Sequence, residues 1–98
     1  EMFTKVLAME LAEHRINVNS VAPGVIEVRR DAPRLNTEFG AAIDRAIPWG
    51  RRGQVDEVAD AVLYLCSSGA EYITGAVVPV DGGMDTGWTH MPYSSPQR

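Results

Sequence analysis

A short β-branched run that ends in Pro-Gly constrains this chain more than any other stretch. Residues 16–24 read Ile-Asn-Val-Asn-Ser-Val-Ala-Pro-Gly. Ile16, Val18, Ser20 and Ala22 alternate with Asn17, Asn19, Val21 and Pro23, and this period of two predicts a strand over 16–22. Pro23 has no N–H to give to a sheet ladder and Gly24 tolerates positive φ, so the strand should stop there. The residues after Gly24 then lie just outside the carboxyl end of a strand, where open α/β sheets bind their ligands. If the strand is central, Asn17 and Asn19 need partners, because buried polar groups are hydrogen-bonded.

The rest of the chain supplies helices and one more strand. Residues 1–13 are mostly strong helix formers, uninterrupted by Gly or Pro. Phe3, Val6, Leu7 and Leu11 make one apolar face, and Met2, Ala8, Met9 and Ala12 extend it. Such a helix packs on two sides within its own domain, or turns its second face to another subunit. His14 falls at the charged end of this helix and reads as a C-terminal surface residue rather than a general base. Residues 36–46 predict a short helix with Asn36 as N-cap, Glu38 in its first turn and Ile47-Pro48 as its stop. Residues 54–67 predict a longer one, with Val55, Val58, Ala59, Val62, Leu63, Leu65 and Cys66 on its apolar stripe. Asp56 and Asp60 share a face, but nothing nearby completes a catalytic or metal-binding set, so they read as a solvated face. Ala76 to Val80 predicts a last strand, which Pro79 directs to a sheet edge. Helix, strand, helices, strand is an α/β order, with parallel strands joined by a right-handed crossover.

Composition narrows the function classes. The net charge of −4 argues against a nucleic-acid surface, which would carry a basic stripe. Arg29, Arg30, Arg34, Arg51 and Arg52 form two small clusters that read as solvated loop charge, with an anion contact as the other reading. The single cysteine, Cys66, permits neither an internal disulfide nor a zinc site and reads as buried core filler. No metal site is expected. No apolar run approaches 18 residues, so no membrane span is expected, and a cytoplasmic setting fits best.

Two stretches carry a family resemblance. Asn17-Val18-Asn19-Ser20-Val21-Ala22-Pro23-Gly24 and Ile73-Thr74-Gly75-Ala76-Val77-Val78-Pro79-Val80-Asp81-Gly82-Gly83 lie in the order and at about the spacing seen late in a short-chain dehydrogenase/reductase. The resemblance covers roughly residues 1–84. It implies the C-terminal part of a Rossmann-like, doubly wound parallel sheet with flanking helices. Residues 1–83 would be the C-terminal segment of the dinucleotide-binding domain, 24–53 its substrate-loop region, and 84–98 a loose tail.

The resemblance also implies chemistry. Pro23, Gly24 and Ile26 match the family's Pro-Gly-x-Ile pattern beside the nicotinamide of NAD or NADP. The carboxamide needs a donor and an acceptor, and the backbone of a turning loop supplies both. Val28 stands where a Thr often helps hold the cofactor, and it brings no hydroxyl. Ile43, Ile47 and Trp49 would line a substrate cover or pin it down. Asp81 has a structural role in the family. The substrate would be a small carbonyl or alcohol, and the expected partner is a second copy in a homo-oligomer.

The family's Gly-rich loop, catalytic Ser and Tyr-x-x-x-Lys all precede this segment. None occurs here: Tyr64, Tyr72 and Tyr93 lack Lys four residues on, and Lys5 is the only lysine. No catalytic residue is therefore assigned, and the 98 residues alone should be inactive. The expectation is the last part of an NAD(P)-dependent oxidoreductase. The rival is a non-catalytic, truncated module that acts in self-association.

Overall fold

A computed structural model describes residues 1–28 and 37–87. Helix α1 runs Met2–Leu11 and tightens into a single 3-10 turn, Ala12–His14. Arg15 ends it in the left-handed region at φ 58°, where its N–H donates to the Ala12 carbonyl. Ile16 N–H then reaches the Leu11 carbonyl at 3.3 Å, so two helix-end acceptors are satisfied as the chain turns into the sheet.

Strand β1 is Ser20–Pro23 and β4 is Val77–Val80. They pair in parallel, Ser20 opposite Val77 through Pro23 opposite Val80. The strand starts four residues later than the alternation predicts. Residues 16–19 precede the ladder, where one backbone bond, Gly75 N–H to the Val18 carbonyl at 2.7 Å, is joined by side-chain bonds. Asn17 Nδ2 donates to the carbonyls of Ala70 and Glu71. Asn19 Nδ2 donates to the Ile73 carbonyl, and its Oδ1 accepts from Ala76 N–H. Val18 N–H donates to Thr74 Oγ1. The two asparagines thus find the partners they need in the segment leading into β4. Among the described residues β4 pairs with β1 alone.

A second parallel pair was not legible. Strand β2 is Ile26–Glu27 and β3 is Gly53–Gln54, with Ile26 opposite Gly53. Between them lies helix α2, Glu38–Ala46. Thr37 occupies its N-cap position; Asn36, the expected cap, lies outside the described residues. Helix α3 runs Val55–Leu65 directly after β3 and is started by a capping box. Glu57 reaches back to accept the Gln54 N–H at 2.9 Å.

Burial corrects three expectations. On α1 the fully buried residues are Thr4 and Ala8, with Leu7 and Leu11 half-buried, whereas Phe3 is 75% exposed. The side against the sheet is therefore a 4-7-8-11 stripe, and Met2, Phe3, Val6 and Met9 point away from it. On α3 no residue is fully buried, and Val62 and Leu63 face outward. Cys66 is exposed rather than core filler: it continues the face of Ala59 and Val62, and that face is itself exposed. Among the described residues the buried apolar ones are Ala8, Ala46, Ile47 and Ala70. No helix among the described residues is long and apolar enough to cross a membrane.

Candidate functional site

The parallel pairing of β1 with β4 brings their carboxyl ends side by side. Pro23-Gly24 leaves one and Asp81-Gly82-Gly83 leaves the other. Gly24 N–H donates to the Val80 carbonyl at 3.0 Å, one step beyond the last ladder pair. The two turns are then in direct contact. A Cβ placed on Gly24 would lie 2.7 Å from Asp81 Cβ and 3.1 Å from Met84 Sδ. Gly24 is required here by close approach, and the atoms that approach belong to the chain itself.

A recess of about 310 Å³ opens beside this contact, lined by Pro23, Gly24, Pro79, Asp81, Met84 and Asp85 among others. Both Asp81 carboxylate oxygens are engaged: Oδ1 accepts from Gly83 N–H at 3.0 Å and Oδ2 from Asp85 N–H at 3.1 Å. Asp81 is thus committed to holding the turn after β4.

Ile26 extends the site along the chain. It enters β2, and its Cδ1 lies 2.8 Å from where a Gly53 Cβ would be. Its side chain lies over Gly53 of β3. Gly53 N–H donates to the Val25 carbonyl at 2.9 Å, which ties the residues after Gly24 to the end of the α2 segment. Val28 is half-buried at the edge of the described residues. Pro23, Gly24 and Ile26 therefore lie on one continuous turn, with Val28 two residues further on.

A second, larger recess of about 590 Å³ lies on the other side of the Asp81–Gly83 turn, against Pro48, Trp49, Arg51 and Glu57. Ile47 is only 2% exposed, and Trp49 is 72% exposed. Ile47 is thus buried where it caps the end of α2, and Trp49 stands at the surface. Ile43 is half-buried on α2.

The arginines here are held internally. Arg51 grips Glu57 through two bonds of 2.8 Å. That grip is the first cause, and the Gln54 N–H the second, that lowers the Glu57 carboxyl from its ordinary value of 4.5 to about 2. The same bond raises the Arg51 guanidinium further. Arg52 is 9% exposed and lies against Asp44 of α2, with its backbone N–H, Nε and Nη2 all on that carboxylate. Both arginines are thus neither loose solvated charge nor open anion contacts. Arg29, Arg30 and Arg34 lie outside the described residues. Asp56 and Asp60 are exposed on α3, and no cluster of metal-ligating side chains occurs among the described residues.

Sequence reasoning placed Pro23 and Gly24 at the end of a strand, where they stand, but missed why Gly24 is glycine. The signal was present: Asp-Gly-Gly closes one strand and Pro-Gly closes another, and parallel pairing places the two endings together.

Comparison with known proteins bears on the whole segment. A family described as enoyl-(acyl carrier protein) reductase matches residues 1–85. A 3-oxoacyl-(acyl-carrier-protein) reductase of Pseudomonas aeruginosa is 48% identical over 86 residues, which is 86% of this chain and 34% of the relative. A crystal structure of an Agrobacterium tumefaciens protein with bound NADP, named for a 2-deoxy-d-gluconate 3-dehydrogenase, superposes with a TM-score of 0.76 at 41% identity. It covers 86% of this chain and 35% of that one. A short-chain type dehydrogenase/reductase from Mycobacterium ulcerans gives a TM-score of 0.78 at 31% identity, over 89% of this chain and 33% of that one. The chain spans about a third of the length of the relatives it matches.

Proposed function

The chain belongs to the short-chain dehydrogenase/reductase family, and we propose that it is the C-terminal part of an NAD(P)-dependent oxidoreductase. The parent moves hydride between a nicotinamide cofactor and a carbonyl or alcohol. This segment supplies the loop beside the nicotinamide, a cover over the substrate and contacts between subunits.

The observation that carries the reading is the shared carboxyl end of β1 and β4, where Pro23 and Gly24 border a recess. The residues present fit the nicotinamide end of the cofactor. The recess is small, and its charged groups are acidic, with Asp81 and Asp85 on its wall. Such a lining suits the ring that is cationic when oxidised and disfavours a pyrophosphate. When bound, the cofactor supplies the hydride. The backbone of Gly24 to Ile26 orients its carboxamide, and Val28 contributes shape without a hydroxyl. Asp81 packs against Gly24 from behind. Residues 24–53 cover the substrate, with Ile47 as the anchor. The proton donor, a Tyr activated by a Lys, would come from a part of the parent that precedes Glu1.

Fluorescence titration of NADH and NADPH into the full-length protein tests this reading. One of the two should bind, and Gly24→Val should weaken it by at least tenfold. Equal binding by the variant would count against the loop assignment.

One observation favours a second reading, a non-catalytic module that joins subunits. Met2, Phe3 and Met9 place large apolar side chains in solvent along one side of α1. Intact mass with sequencing upstream of Glu1 separates the two. A Tyr-x-x-x-Lys a few residues before Glu1 supports the enzyme, and a product of 98 residues supports the module.

A further inference from the structure

We infer that the Asp81-Gly82-Gly83 turn couples the cofactor-side loop to the anchor of the substrate cover, with Asp81 as its positioning residue; this coupling presupposes the oxidoreductase reading of the site.

The turn is wedged between two segments that also meet farther along, through the β2–β3 pair and the bond from Gly53 N–H to the Val25 carbonyl. On one side Asp81 Cβ fills the place of the missing Gly24 side chain at 2.7 Å. On the other, a Cβ on Gly82 would meet Ile47 Cγ2 at 2.9 Å and Trp49 Cβ at 3.1 Å. One on Gly83 would meet Pro48 Cβ at 3.2 Å. A hydrogen bond of 2.9 Å from Trp49 N–H to the Gly82 carbonyl closes this second side. Gly82 and Gly83 both hold positive φ, 64° and 93°, which only glycine adopts readily.

The wedge is also rigid. Asp81 uses one carboxylate oxygen on Gly83 N–H and the other on Asp85 N–H, so the turn is braced from within. Neither face has room for a Cβ at Gly24 or Gly82, so the backbone of the turn lies directly against its neighbours on both sides. A shift of Gly24 toward or away from a bound ring is therefore passed to Ile47, and Ile47 ends α2. Neither Asp81 nor Gly82 needs to touch the reacting atoms.

Hydrogen exchange resolved to single amides, with NADPH and NADH as probes on the full-length protein, tests the coupling. Gly24 N–H, bonded to Val80, reports the cofactor side, and Trp49 N–H, bonded to Gly82, reports the cover side. In the wild type the bound cofactor should slow exchange at both, by on the order of tenfold at Trp49, within the range usual for coupled sites. Asp81→Asn keeps one acceptor and loses the other. It should abolish the slowing at Trp49 and leave that at Gly24. Ile47→Leu conserves volume and removes the Cγ2 that presses on Gly82, and it should do the same if Asp81→Asn fails to fold. Slowing at Gly24 alone in the wild type, or undiminished slowing at Trp49 in a folded variant, would overturn the inference. No response to either cofactor at Gly24 or Trp49 would overturn the functional reading first and the coupling with it.

Discussion

Gly24 and Glu57 carry the sharpest consequences at the level of single residues. Gly24→Ala forces a methyl group against Asp81 Cβ at 2.7 Å and Cα at 2.9 Å, and neither atom is the end of a flexible chain. The backbone must move, at a cost of about 1–3 kcal/mol. A urea melt should show a lower midpoint with an unchanged slope. Glu57 makes a pH prediction. Its folded carboxyl titrates at about 2 against an ordinary 4.5, so folding favours the ionised form. This contribution is complete above about pH 4.5 and fades as pH falls toward about 2. Glu57→Gln should flatten the fall of the urea midpoint across that window. The effect is modest because the pair is half-exposed to solvent. An identical acid profile in the variant would remove Glu57 from the account.

At the scale of elements, the asparagines decide where β1 can begin. Asn19 bonds both Ile73 and Ala76, which fixes the approach of β4 and thereby its register against β1. Asn19→Ala leaves two partly buried backbone groups unpaired, at roughly 1–3 kcal/mol. Thermal or urea melts should show this loss, and Asn19→Asp should recover only the bond from Ala76. The need for such partners was legible, because an asparagine in a strand pattern must be satisfied. Their identity was not, since it lies more than fifty residues away. The parallel pair β1–β4 was legible from β-branched runs ending in Pro-Gly and Asp-Gly-Gly. The pair β2–β3 was not, because two residues show no periodicity. Helix α1 was legible as a helix, but its buried face was not: Thr4 and Ala8 are inside because small side chains allow the sheet to approach. Cys66 misled because it continues an apolar face, with Ala59 and Val62, that is exposed and not buried.

At the scale of the molecule, the small number of buried apolar residues among those described and the exposed face of α1 belong together. A helix face with Met2, Phe3 and Met9 each more than 70% exposed calls for a cover. If a second copy provides it, Phe3→Glu with Met9→Glu should shift the full-length protein to smaller species in sedimentation velocity. Unchanged sedimentation would place that face against the parent's own remaining residues instead. The central claim is that the turn after β1 serves a nicotinamide cofactor in an oxidoreductase. Its most direct test is to add NADPH and NADH separately to the full-length protein and follow binding by fluorescence and oxidation by absorbance with a panel of small carbonyl compounds. One cofactor should bind in the micromolar to millimolar range and be oxidised by at least one carbonyl. If a folded full-length protein binds neither, the oxidoreductase reading is contradicted and the assembly module stands in its place.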